Sequence, residues 1–181
     1  MTAIATALPP AARVGFHFPL FGFERFPHLL FRLSRITMQN TPPSSLLEVH
    51  ETQTTGFHPL VDSDQWRVAL LNFEPALAPE RLSEFQRHNE TDEVFVLLSG
   101  RCILFLAEGK DTVSQIFPQD LEPFKLYNVR RSAWHTHALS ADAKLLIVEN
   151  RNTSRANSPR IKMTPAQREE ILRMTQQMWG K

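Results

Sequence analysis

Gln86-Arg87-His88-Asn89-Glu90-Thr91-Asp92-Glu93-Val94-Phe95-Val96-Leu97-Leu98-Ser99-Gly100 sets metal-ligating side chains at both ends of a short polar turn and then runs into an apolar strand. Read as strands Ser83–His88 and Glu93–Leu98 joined by a turn at Asn89–Asp92, it places His88 and Glu93 opposite each other at a hairpin mouth. Side chains alternate with period two along a strand, so Gln86 shares the face of His88, and Phe95 and Leu97 share the face of Glu93. An imidazole, a carboxylate and an amide oxygen converging at one end of a sheet suit a divalent first-row ion: Zn, Mn, Fe, Ni or Co. Taken alone, the segment reads equally well as a surface turn with ordinary charged residues.

A second segment shifts that balance. In Trp134-His135-Thr136-His137 the two histidines lie two apart, so on a strand they share one face while Trp134 and Thr136 share the other. A ligand from this strand, added to His88 and Glu93, makes a set of two histidines and one carboxylate with positions left open for water or substrate. A single histidine is more often a hydrogen-bonding residue than a ligand; the pairing of the two segments is what favours a site.

The rest of the chain supplies a scaffold of strands. Apolar or alternating runs at Trp66–Phe73, Ser83–His88, Glu93–Leu98, Arg101–Leu106, Thr112–Phe117, Phe124–Val129, Trp134–Leu139 and Lys144–Glu149 are broken by turn signals, with no helical period between them. That pattern predicts an antiparallel sandwich or barrel. Leu145–Val148 is apolar on both faces and is expected to be covered on both sides. Residues 39–65 read as turn-rich, with a short edge strand at Leu46–His50 and folded order from near Gly56; Pro118–Pro123 reads as a loop. Asn150–Pro159 is polar and reads as a linker. Thr164-Pro165-Ala166-Gln167 then carries an N-cap, a first-position proline and a capping-box glutamine, so a helix is expected from Pro165 to about Met178. Its stripe of Ile171, Met174 and Met178, with Leu172 beside it, suits packing on the sheet or on a second subunit.

With 181 residues, the chain fits one domain with tails: a loose extension at 1–37, a barrel at 38–150, and a linker with helix at 151–181. The extension mixes phenylalanines and arginines with Glu24 as its one acid; a targeting segment is the competing reading, although no apolar core of a secretory signal is present. A formal net charge of +1 gives no overall field to recruit nucleic acid or a membrane surface, and no run reaches the roughly 18 apolar residues of a spanning helix. Cys102, the single cysteine, lies in an apolar strand; it excludes an internal disulfide and fits a cytoplasmic protein, with the thiol acting as a small buried hydrophobe.

His88, four intervening residues, Glu93, six intervening residues and Gly100 match the second half of the first cupin motif, and His135 falls at the histidine of the second. The chain resembles a small single-domain cupin from about Trp66 to Asn150. The resemblance implies an all-β, double-stranded antiparallel barrel of jelly-roll type followed by the C-terminal α-helix, a divalent transition metal on His88, Glu93 and His135, and a homodimer. The apolarity of Val94, Val96 and Leu98 on one face of their strand, against Phe95 and Leu97 on the other, fits that pairing. The match departs where the motif opens with histidine and this chain has Gln86, a weaker neutral ligand, and at Arg130, Ser132 and Leu139 in the second motif. Tyr127, His137 and Arg130 are candidates to bind substrate, Arg130 because a guanidinium suits a carboxylate or phosphate. Phe95, Leu97 and Phe105 are expected to line the barrel. Two readings follow: a metal-dependent enzyme (isomerase, lyase or oxygenase) acting on a small polar metabolite, or a non-catalytic cupin that binds a small ligand or serves as a structural dimer.

Overall fold

The computed structural model describes residues 42–180; the expectations for residues 1–37 fall outside the described residues. Ten strands form two five-stranded antiparallel sheets. Sheet A runs in the order β1 (Gly56–Asp62), β2 (Trp66–Asn72), β9 (Lys144–Asn150), β4 (Glu93–Ser99) and β7 (Leu126–Val129). Sheet B runs β10 (Arg160–Lys162), β3 (Glu84–Gln86), β8 (Trp134–Leu139), β5 (Cys102–Glu108) and β6 (Gln115–Asp120). One helix, α1 (Pro165–Trp179), follows. This is the all-β architecture with a terminal helix expected from the strand pattern.

Alternation along each strand decides what lies inside. In β4, Glu93, Phe95 and Leu97 are buried while Val94, Val96 and Leu98 are half-buried; in β9, Leu145, Ile147 and Glu149 are buried. These inward faces meet Cys102, Leu104 and Leu139 of sheet B in the core between the sheets. A second core lies on the far face of sheet B, where Phe85, Ile103, Phe105, Trp134 and Ala138 pack against Ile171, Met174 and Met178 of α1. Phe105 therefore does not line the barrel: it has the opposite phase to Leu104 and points to the helix. The doubly covered strand is β8, buried at all six positions, whereas Leu146 and Val148 of β9 are only half-buried on the outer face.

The helix starts as its sequence dictates. The Thr164 side chain accepts from the Gln167 amide, the Gln167 side chain returns a bond to the Thr164 amide, and Pro165 occupies the first turn. Leu172 is half-buried and stands apart from the apolar cluster under the helix.

Several local expectations are corrected. Leu46–His50 forms no strand and is exposed. Gly56–Asp62 does form one despite Pro59, because β1 is an edge strand where a missing amide breaks no inner ladder. The same reason admits Pro118 inside edge strand β6, which begins and ends later than the run Thr112–Phe117. Phe124 adopts a φ of 63° in the turn before β7, so that strand is shorter than expected. Beyond Asn150, the polar stretch read as a linker is followed by β10, which pairs with β3 through Arg160↔Gln86, Ile161↔Phe85 and Lys162↔Glu84.

Candidate metal centre

The hairpin expected between His88 and Glu93 is absent. β3 belongs to sheet B and β4 to sheet A, so residues 87–92 cross from one sheet to the other. The two side chains meet across the gap between the sheets. His135 joins them because Gln86 on β3 is the cross-strand partner of His135 on β8. Glu93 Oε2 lies 3.0 Å from His88 Nε2 and 2.9 Å from His135 Nε2, and the three ligand atoms fall within 4.8 Å of one another. All three residues are buried, His135 completely.

The remaining ring nitrogens fix how these imidazoles present themselves. His135 Nδ1 is 3.1 Å from the Ala133 carbonyl, which can only accept, so Nδ1 carries the hydrogen. Ser158 Oγ donates to Asn157 Oδ1 at 3.2 Å and accepts from His88 Nδ1 at 2.7 Å. Each Nε2 is thereby left with a lone pair aimed at one carboxylate oxygen. Three acceptors cannot converge without a cation between them, so the cluster requires protons or a metal ion. Two imidazole nitrogens and a carboxylate oxygen, each ring braced from behind, form a donor set that fits a divalent transition metal.

The electrostatics follow from burial and proximity. Burial pushes the Glu93 carboxyl up, but where protons rather than a metal fill the cluster, Nε2–H groups of His135 and His88 hydrogen-bond to it, outweigh burial and hold the group down at about 2. Burial lowers His88, and its bond to Glu93 more than reverses this, so it is raised from its ordinary value. His137, on the same face of β8, is not in the cluster; burial drives it down to about 4 and keeps it neutral, and its Nδ1 is enclosed with no partner among the described residues. Its ring packs 5.6 Å from that of Phe95. The Gln86 amide reaches His135 Nε2 only at 3.4 Å and stands at the edge of the cluster.

A cavity of about 490 Å³ opens beside these groups and is lined by Gln86, His88, Glu93 and His137 together with Arg67 and Glu149. Two candidate residues do not reach it. Tyr127 shares the inward face of Phe95 but is spent at the β7 edge, where its hydroxyl accepts from the Glu122 amide at 2.9 Å. Arg130 projects into solvent with 82% of its side chain exposed and pairs with Asp92 at 3.5 Å. Asp92 instead ties the loop together, accepting from the Arg131 amide and the Asn128 side chain, each at 2.8 Å. Sequence reasoning missed Glu149, Arg67 and Ser158. Glu149 carried a signal, since it continues the buried phase of Leu145 and Ile147; Ser158 carried none, being one serine in a polar stretch.

No family model matches the chain, and no curated protein matches it. Among solved structures it is similar to a cupin-2 domain protein from Shewanella frigidimarina, with 20% identity over 60% of this chain and 88% of that one and a TM-score of 0.39. It is also similar to Pac13 of Streptomyces, a nucleoside dehydratase, with 12% identity over 60% and 77% of the two chains and a TM-score of 0.41. An oxalate oxidase matches at 12% identity over 47% of this chain and 41% of its own, with a TM-score of 0.36. The fold is cupin-like. What carries that description is the pair of facing five-stranded antiparallel sheets with the His/Glu cluster held between them.

The depressed Glu93 carboxyl makes a pH prediction for metal-free protein. Its folded value lies below the unfolded one of 4.5, so the unfolded chain binds the proton more tightly and the stability it contributes is present above about 4.5. Urea midpoints should fall as the pH drops from about 4.5 towards about 2, and Glu93→Gln should flatten that part of the profile. An unchanged slope in the variant would contradict the pairing.

Proposed function

We propose that the protein is a metal-dependent enzyme acting on a small polar metabolite, with His88, Glu93 and His135 holding a divalent transition metal. The observation that carries this reading is the convergence of two braced Nε2 lone pairs on one Glu93 oxygen at 2.9 and 3.0 Å. A bound ion would supply Lewis acidity at the cavity floor. Around it, Gln86 offers an amide within reach of an occasional ligand or of substrate. His137 offers a neutral imidazole that keeps both donor and acceptor capacity. Ser158 and the Ala133 carbonyl keep the two ligand rings in register. Isomerase, lyase and oxygenase chemistry all fit such a site, and fold does not choose among them.

Elemental analysis of protein purified without an affinity tag tests this. We expect close to one transition-metal ion per chain, lost in His88→Ala and in Glu93→Ala, and a lower melting temperature on chelation. Metal-free protein that is indifferent both to chelator and to added ions would favour the second reading, a non-catalytic small-ligand binder in which protons satisfy the cluster. Gln86, a neutral amide where the cupin motif opens with histidine, is the feature on which that second reading rests.

We further propose that two chains pair through the outer face of sheet A. Val68, Leu70, Val94, Val96, Leu98, Leu146 and Val148 form a half-buried aliphatic surface there, continued by the exposed Leu126. Patches of that extent usually mark interaction sites. The reading also places the protein in the cytoplasm, consistent with a lone buried thiol that burial raises well above its ordinary range. No helix among the described residues is long and apolar enough to cross a membrane. Sedimentation at micromolar concentration should show a dimer, and Val96→Glu should convert it to monomer; a wild-type monomer would contradict the pairing.

A further inference from the structure

Beyond the His/Glu cluster, the cavity has a second built feature across three neighbouring strands of sheet A. Arg67 on β2 is the cross-strand partner of Glu149 on β9, and the pairing of Val94 with Val148 brings Glu93 on β4 to the other side of Glu149. Glu149 is buried, and its carboxyl is raised, first by burial and then by the neighbouring Glu93 charge, against the opposing pull of Arg67. Both Arg67 bonds to it land on one oxygen, Oε1, from Nε at 2.8 Å and Nη2 at 2.6 Å. The guanidinium also donates to the Thr153 carbonyl at 3.1 Å, so its fork is committed to the protein. No hydrogen bond among the described residues reaches Oε2, and Glu149 lines the cavity.

The charges of the cavity are otherwise matched. Glu93 is taken by the two histidines, Glu149 by Arg67, and Arg160 by Glu84 at 3.5 Å. Arg155 and Glu74, one of each sign, remain nearer the solvent. Apart from an ion held by the His/Glu cluster and already balanced in part by Glu93, the side chains around Glu149 leave no unpaired cation to repay the desolvation of an anionic ligand, and a cationic one would compete with Arg67 for Glu149. A hydroxyl, by contrast, can donate to Oε2 without displacing anything, since an ionised carboxylate only accepts. The same face of sheet A continues from this ion pair into an apolar surface. Phe57 lines the cavity with 39% of its surface exposed, its ring 5.4 Å from the Arg67 guanidinium, and Leu71 and Ile147 complete the floor. An accepting oxygen and an open aromatic surface, side by side on sheet A with Arg67 between them, complement a molecule with hydroxyls around its edge and a C–H face.

We propose that this cavity binds a neutral, hydroxyl-rich small molecule of monosaccharide size, with Glu149 accepting from its hydroxyls, Arg67 positioning Glu149, and Phe57 covering its C–H face. The proposal rests on taking the cavity beside the His/Glu cluster as the substrate site. It deepens that reading by naming a ligand class and two contact residues.

Isothermal titration of the full chain with D-glucose, D-xylose, myo-inositol and, as the anionic counterpart, D-glucuronate tests it, with metal content measured on every sample. At least one neutral probe should bind, more tightly than D-glucuronate. Glu149→Gln keeps an oxygen for Arg67 but loses the charged acceptor, and should weaken binding about tenfold, the order of one hydrogen bond to a charged group. Phe57→Ser, at an open wall position, should also weaken it and serves if the first variant folds poorly. Metal content should be unchanged in both, so loss of sugar binding with metal retained is separate from failure of the metal site. No binding of any neutral probe, a preference for D-glucuronate, or wild-type affinity in both variants would overturn the proposal.

Discussion

A single carboxylate oxygen shared by two histidines holds this structure's functional end together. Glu93 comes from sheet A and the imidazoles from the sheet B side, so the contact spans the gap between the sheets. Away from water, an unpaired carboxylate would be costly, and so would two imidazole nitrogens facing it without a cation. The flanking polar groups hold the arrangement in place: His135 Nδ1 bonds to the Ala133 carbonyl, His88 Nδ1 to Ser158, and Glu149 Oε1 to Arg67. Removing Glu93 would leave two buried rings without their common partner. The geometry is therefore kept by the chain itself and is available to an incoming ion.

The same strands that make the apolar core make the site. Along the inward face of β4 the order is Glu93, Phe95, Leu97; along β9 it is Leu145, Ile147, Glu149; along β2, Arg67, Ala69, Leu71; and along β8, His135, His137, Leu139. Antiparallel pairing gathers the polar ends of all four strands at one end of the barrel and the aliphatic ends at the other. The apolar end supplies burial; the polar end inherits its rigidity. A cavity forms where side chains change from filling space to satisfying one another.

Much of this was legible in the sequence because it depends on period two. His88, Glu93, His135 and Gln86 come together as alternation suggested, although the inferred hairpin was wrong: the turn residues carry the chain between sheets rather than back along one. Phe105 was misassigned because an unbroken apolar run, Cys102–Leu106, does not reveal its own phase, and only the helix packed on the far side shows that both faces are covered. Tyr127 and Arg130 lie near the site in sequence and away from it in space, since β7 is the edge of sheet A. Ser158 could not be foreseen, for its role depends on β10 returning alongside β3. Glu149 was legible in principle: a charged residue in the buried phase of a core strand needs a partner and a reason.

The central claim is that His88 and His135 both carry their hydrogen on Nδ1 and turn Nε2 towards Glu93, ready for a cation. Nitrogen-15 NMR of the histidine side chains, recorded on metal-free protein and again after one equivalent of Zn²⁺, addresses this directly. The account predicts protonated Nδ1 on both rings throughout, and movement of the two Nε2 signals into the metal-bound range on addition of zinc while those of His137 stay in place. Deprotonated Nδ1 on either ring, or Nε2 signals that ignore the ion, would contradict it.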